Sequence, residues 1–402
     1  MNIERMRELH TEMGLLLGTL PEAAPAKGAG ITDRAGLDAA LAAAKGGEVI
    51  ELAPGDYGNL EWKPNFATPV TIVGGSFGSV KILRYHWQHR GKGAILDGVR
   101  ATYLEVKAVD GVTIRGCVAE QLMIDSANNA TIESCWLHDG HFPLRILRAV
   151  GFRVIGNVLE GAREDTMRIY GDSHGGEVRG NLFLRNMAAK GYHGDHLQIY
   201  GINGEDVCPY DLVIEQNLMH DDQTGKAVKL VANGQAGSAS RAGDAGVPAG
   251  AQGIFIGAAH KTMYRGVSIR HNLIRVGMKN GIFISAGIED CPIEENILVP
   301  VAGQTLVELV LNKDARNLRW HNRGVTVQGN IVPKIMDEGG EAKVLANHSY
   351  GADPSGLFAG ITAGSGGEVP EDYRPAKGSP VVAPWLGATI ARLRQTLDAV
   401  PR

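Results

Sequence analysis

Short segments with an apolar residue at every second position recur from residue 112 to residue 333, and each runs through a small or amide residue into a second aliphatic stretch. The copies are VTIRGCVAE (112–120), ATIESCWLH (130–138), FRVIGNVLE (152–160), GEVRGNLFL (176–184), LVIEQNLMH (212–220), VSIRHNLIR (267–275), CPIEENILV (291–299) and VTVQGNIVP (325–333). A period of two marks strands with one buried face. The marker residues Cys117, Cys135, Asn157, Asn181, Asn217, Asn272, Asn296 and Asn330 are separated by 18, 22, 24, 36, 55, 24 and 34 residues. The shorter intervals fit one solenoid coil; the longer ones require an inserted loop or an unrecognised coil. Asn tolerates left-handed backbone and offers its amide to neighbours, so each unit reads as strand, turn, strand. Stacked at the ~4.8 Å strand spacing, the Asn side chains form a ladder. The predicted fold is all-β, a parallel β-helix with short helices at its two ends. A sandwich or barrel also supplies short strands but does not place the same residue at the same turn.

A second column holds PLRIL (143–147), DTMRIYG (165–171), DHLQIYG (195–201), KAVKLVA (226–232), QGIFIGA (252–258), NGIFISA (280–286) and TLVELVL (305–311). Its register points Leu144, Met167, Leu197, Val228, Ile254, Ile282 and Val307 inward. The outward row is then Arg145, Arg168, Gln198, Lys229, Phe255, Phe283 and Glu308, flanked by Tyr170 and Tyr200 on one side and His196 on the other. Such a polar and aromatic stripe suits a long, hydroxylated, partly acidic chain.

Composition narrows the field. The 402 residues carry 40 Lys+Arg against 44 Asp+Glu, a net charge of −4, so general nucleic-acid binding is not expected. With 54 Gly, nearly twice the roughly 7% average, the chain turns often and makes few long helices. Cys117, Cys135, Cys208 and Cys291 occur singly, without the spacing of a zinc site or disulfide framework. No stretch reaches the ~20 apolar residues of a membrane span. The first residues lack a secretory pattern, which gives synthesis in the cytoplasm and display on a particle surface as the expectation, or secretion or a periplasmic location if a leader was removed. Ile3, Met6, His10, Met13, Leu17 and Leu20 follow heptad spacing, and residues 1–30 read as a helical attachment or oligomerisation segment or as a helix packed on the solenoid. Residues 31–386 are the solenoid, and 387–402 a C-terminal helix in a run with Leu386, Ile390, Leu393, Leu397 and Val400 on one side. Either helix is a candidate cap for a sheet end. SASRAGDAGVPAGAQG (238–253) reads as a projecting loop.

The stretch ALAAAKGGEVIELAPGDYGNLEW (40–62) resembles the opening coil of right-handed β-helix proteins of the pectate-lyase-like superfamily, with Glu48 where that family often has Asp. DYRPAKGSPVV (372–382) is similar to the segment that often closes these folds. The resemblance implies a right-handed solenoid. It leaves activity open, since the superfamily includes lyases, hydrolases, epimerases and phage or gene-transfer-agent spikes.

The densest polar cluster is KGYHGDHLQIYG (190–201), with Lys190, His193, Asp195, His196 and Gln198, next to Asp165, Arg168, Tyr170, Asp172 and His174 one coil earlier. The register brings Asp165 and Asp195 to ~5 Å. Such a pair can act as acid and nucleophile in glycoside hydrolysis, share a proton, hold Ca2+, or cap strand starts through backbone hydrogen bonds. Apart from that Ca2+ option no cofactor is expected. For β-elimination or epimerisation of a uronate, Lys229 and Arg168 supply positive charge, with Tyr200 or His196 as proton carrier. Asp221 with Asp222, and His260 with Lys261, are weaker candidates and read as turn and loop residues. Phe255 and Phe283 can stack on sugar faces or be covered by the 238–253 loop or by a neighbouring subunit. The candidate catalytic residues are thus Asp165, Asp195, His196, Lys229 and Arg168, and the candidate binding residues Arg145, Tyr170, His193, Gln198, Tyr200, Phe255 and Phe283. Three functions follow: a spike of a phage or phage-like particle that binds, or also cuts, cell-surface or capsular polysaccharide, attached to other virion proteins through the N-terminal helix and forming a homo-oligomer such as a trimer; a lyase or epimerase of uronate-rich polymer; or a purely structural solenoid.

Overall fold

A computed structural model describes residues 30–84, 90–188, 194–202, 207–221, 251–257, 263–285, 287–300, 308–311, 322–351, 353–362 and 369–401. Each central coil contributes a strand to each of three parallel sheets. One coil runs Thr131–Glu133, Trp136–His138, Leu144–Leu147, and the next Arg153–Ile155, Val158–Glu160, Met167–Tyr170, with every strand paired in parallel to its counterpart. This is the parallel β-helix expected from the repeats, with the right-handed winding that the resemblance of 40–62 and 372–382 implies. Its interior is a set of aliphatic stacks: Ile132, Val154, Val178, Ile214, Ile269, Ile293 and Val327 fill the first sheet's inner face, and Leu144, Met167, Leu197, Ile254, Ile282 and Leu309 the third's.

The corner between the first and second sheets carries the amide ladder. Each Nδ2 donates to the next Oδ1, from Asn157 to Asn181 (3.0 Å), Asn217 (3.0 Å), Asn272 (3.0 Å), Asn296 (2.9 Å), Asn330 (3.0 Å) and Asn347 (2.9 Å). The same oxygens accept the backbone N–H of the preceding Asn, so buried donors inside the turn are satisfied. One expectation changes. The left-handed residue is the one before each Asn, as at Gly180 (φ 64°), Gln216 (φ 56°) and Glu295 (φ 54°), and the Asn itself is chosen for its side chain.

The helix Arg34–Ala43, capped by Asp33, inserts the fully buried Leu37 at the N-terminal end of the core. Glu48 accepts the backbone N–H groups of Lys45 and Gly46 and so ties the helix to the first strand; those bonds lower its pKa. The last paired coil strand is His348–Ser349. Residues beyond it return along the side of the solenoid. The C-terminal helix Leu386–Ala399 lays Leu386, Ile390 and Leu393 over Val158, Leu182, Leu218, Leu273 and Ile297, an apolar column on the second sheet's outer face. It covers a flank and not the sheet end first expected, because that column is where the chain exposes aliphatic residues outward. The Thr396 hydroxyl donates to the Gly180 carbonyl at 2.8 Å, and a Cβ at Gly180 would lie 2.7 Å from Arg392.

Candidate functional site

The third sheet's outward face carries the stripe. Arg145 pairs with Arg168, Arg168 with Gln198, Gln198 with Phe255, and Phe255 with Phe283. Gln198 meets Phe255 directly because Gly194–Tyr200 pairs with Ala251–Gly257, which corrects the expected order Gln198, Lys229, Phe255. Lys229 lies outside the described residues, as do Lys190, His193, Asp222, His260, Lys261, Val228, Val307 and the N-terminal heptad. Ala251, Gln252 and Gly253, read as loop, begin a strand. Glu308 also leaves the row: a register shift sets it beside Asn280, and Val310 faces Phe283.

Tyr170 and Tyr200 stack with centroids 5.1 Å apart and planes 2° from parallel. Burial raises both phenol pKa values, so these groups are proton donors and not bases near neutral pH. Arg168 Cζ lies 3.8 Å from the Phe142 ring centroid and 5.8 Å from that of Tyr200. Phe255 and Phe283, half-buried, pack at 5.4 Å.

Beneath this stripe runs a second polar ladder at the starts of the third-sheet strands. Arg168 Nε donates to Asp165 Oδ2 (2.6 Å), the Asp195 backbone N–H to Asp165 Oδ1 (2.9 Å), Gln198 Nε2 to Asp195 Oδ2 (3.1 Å), Gln252 Nε2 to Asp195 Oδ1 (2.8 Å), and Asn280 Nδ2 to Gln252 Oε1. Asp165 and Asp195 do sit on neighbouring coils, in the strand-start bonding considered from the sequence. Both are fully buried, as is His196, whose Nε2 lies 3.0 Å from Asp221 Oδ1. All three are enclosed beneath the part-exposed Arg168, Tyr170 and Tyr200, which corrects their placement as groups facing outward toward a substrate. Burial, and then the Asp195 charge, lift Asp165 to about 7 against the pull of Arg168. A calcium ion at Asp165 would have to displace that guanidinium. Among the described residues no group of three or more His, Cys, Asp or Glu is arranged to hold a metal. The four cysteines are buried and free, and no described helix is long and apolar enough to cross a membrane.

Several neighbours escaped the sequence reading. Glu164 bridges His141 Nε2 (3.0 Å) and Arg168 (2.6 Å), Phe142 carries Arg168, and Tyr103 reaches the face from two coils before Arg145. These side chains lie between repeats or in early coils, where no column pattern marks them.

The chain defines a solenoid with an exposed aromatic and cationic stripe, and its sequence places it further. The family model for the right handed beta helix region matches residues 97–298, and the chain belongs to that family. No curated protein matches it. Similar solved structures include the Streptococcus pneumoniae surface protein and adhesin PfbA (TM-score 0.49, 10% identity, 79% of this chain and 92% of that one). Others are the PL6 family alginate lyase AlyGC (0.47, 13%, 78% and 49%) and the Dettilon tailspike protein (0.43, 13%, 80% and 64%). This chain spans about half of AlyGC. At these identities the likenesses carry no information on activity.

Proposed function

We propose that the protein binds a polysaccharide laid along the outward face of its third sheet. The observation that carries this reading is the parallel Tyr170–Tyr200 stack beside Arg168 and Arg145, all part-exposed on one row of coils. Flat rings suit pyranose faces, and guanidinium and phenol donors suit hydroxyl and carboxylate oxygens. In its narrower form the proposal is a spike of a phage or phage-like particle, with residues 1–30 as the attachment and self-association segment; the heptad spacing there supports it. The test is binding of purified protein to a panel of capsular and uronate polysaccharides. Wild type should bind at least one, and replacing Tyr170 and Tyr200 together by Ala should weaken that binding roughly tenfold with an unchanged circular dichroism spectrum. Undiminished binding by the double variant would remove this face from consideration. Release of unsaturated ultraviolet-absorbing chain ends would assign a lyase, the alternative activity for the same face.

A further inference from the structure

The outward face carries two arginines on adjacent coils, and their surroundings differ. Arg168 is held by Asp165 and Glu164, each at 2.6 Å, and packed on Phe142. Glu164 balances the guanidinium charge, Asp165 holds its Nε in place, and an incoming anion meets the Glu164 carboxylate as well. Arg145, its register partner one coil earlier, has no carboxylate within ion-pair distance among the described residues. Its other register neighbour is Met123, its Cζ is 5.8 Å from the Phe142 ring, and its enclosed Nε has no partner. The Tyr103 hydroxyl lies on the same face, 3.9 Å from Met123 Sδ, and its pKa is raised by burial and the Glu105 charge against the pull of the Arg145 charge. Beyond Arg168 the row continues with Gln198, Phe255 and Phe283, all uncharged. The face thus offers one uncompensated guanidinium, next to the tyrosine platform, followed by a neutral aromatic stretch.

Resting on the binding proposal above, we infer that this face selects an acidic polysaccharide whose carboxylated sugars are isolated between neutral ones, with a single carboxylate seated at Arg145. A polymer acidic at every sugar sets further charges beside Glu164 and over the Phe255–Phe283 pair, where repulsion and desolvation oppose them. Arg145 is therefore the specificity-determining residue, and Arg168 a fixed part of the floor.

Wild type and Arg145→Met are titrated with hyaluronan and heparosan, in which uronates alternate with neutral amino sugars. Polygalacturonate and polymannuronate, acidic at every sugar, and the carboxyl-reduced form of each polymer complete the set. Wild type should bind an alternating polymer about tenfold more tightly than its reduced form, the size of one charge-assisted contact, and more tightly than either homopolymer. Arg145→Met should erase the difference between native and reduced polymer, and Arg145→Lys should restore part of the preference. A homopolymer bound most tightly, equal affinity of wild type for native and reduced chains, or a preference that survives in Arg145→Met overturns the inference and leaves the binding track standing. Wild type that binds none of these polymers in either form overturns both.

Discussion

Two hydrogen-bonded ladders run along the same coils and are built on opposite plans. At the corner between the first and second sheets the rungs are Asn after Asn, each amide spending its donors and its acceptor on the coils above and below. At the starts of the third-sheet strands the rungs are Arg168, Asp165, Asp195, Gln252 and Asn280, every one a different side chain or a different bond. The uniform ladder has nothing left over: its members are buried amides facing amides. The mixed one is asymmetric, with charge concentrated at one end, and it fixes the base of Arg168 and Gln198 on the outer stripe. Uniformity holds the coils in register; departure from uniformity gives one face a chemistry that the other corner lacks.

Breaking the uniform ladder should have the largest effect. Asn217→Ala removes the acceptor used by both the Asn181 backbone N–H and its Nδ2, and the donors to Val178 O and Asn272 Oδ1. Stability should fall by about 3 kcal/mol, read as a drop in the urea midpoint; a change near zero would mean the amides are dispensable to the corner.

The mixed ladder should reveal itself through pH. Asp165 holds its proton up to about 7 in the fold, against an ordinary aspartate value of 3.8. Between those values the native state binds more protons than the unfolded one, so its contribution is complete at the acid end and declines as pH rises toward 7. Asp165→Asn should flatten that decline, gaining on wild type from pH 4 to pH 7 in parallel urea melts. Parallel curves would show that burial there does not favour the neutral acid.

The smallest effect concerns the turn. Gln216 adopts φ 56° without being glycine, so Gln216→Gly should raise stability by about 0.5 kcal/mol. A loss of stability would mean that the Gln216 side chain contributes more than the left-handed strain costs.

Legibility followed the same division. The amide corner and the aliphatic stacks could be read because one residue type returns at one phase of a period-two pattern. The mixed ladder could not, since Asp165, Asp195, Gln252 and Asn280 have no single residue type in common and lie 30, 57 and 28 residues apart. DTMRIYG and DHLQIYG alone place Asp165 and Asp195 on neighbouring coils, but the bond from Gln252 to Asp195 spans 57 residues and no repeat announces it. KAVKLVA (226–232) alternates as well as QGIFIGA does, and alternation alone does not say which segment pairs with Gly194–Tyr200; the pairing strand is Ala251–Gly257.

The helix Leu386–Ala399 gives this elongated molecule a property that repeats by themselves lack. Coils touch only their neighbours, so a bare stack can fray one layer at a time from either tip. The apolar face of this helix packs over the column from Val158 to Ile297, and Thr396 bonds a carbonyl 216 positions earlier in the chain, so the helix acts as a clasp across several layers. Because that clasp follows the coils in the chain, the middle coils are made before the helix that fastens them, and opening those coils afterwards means lifting the helix as well.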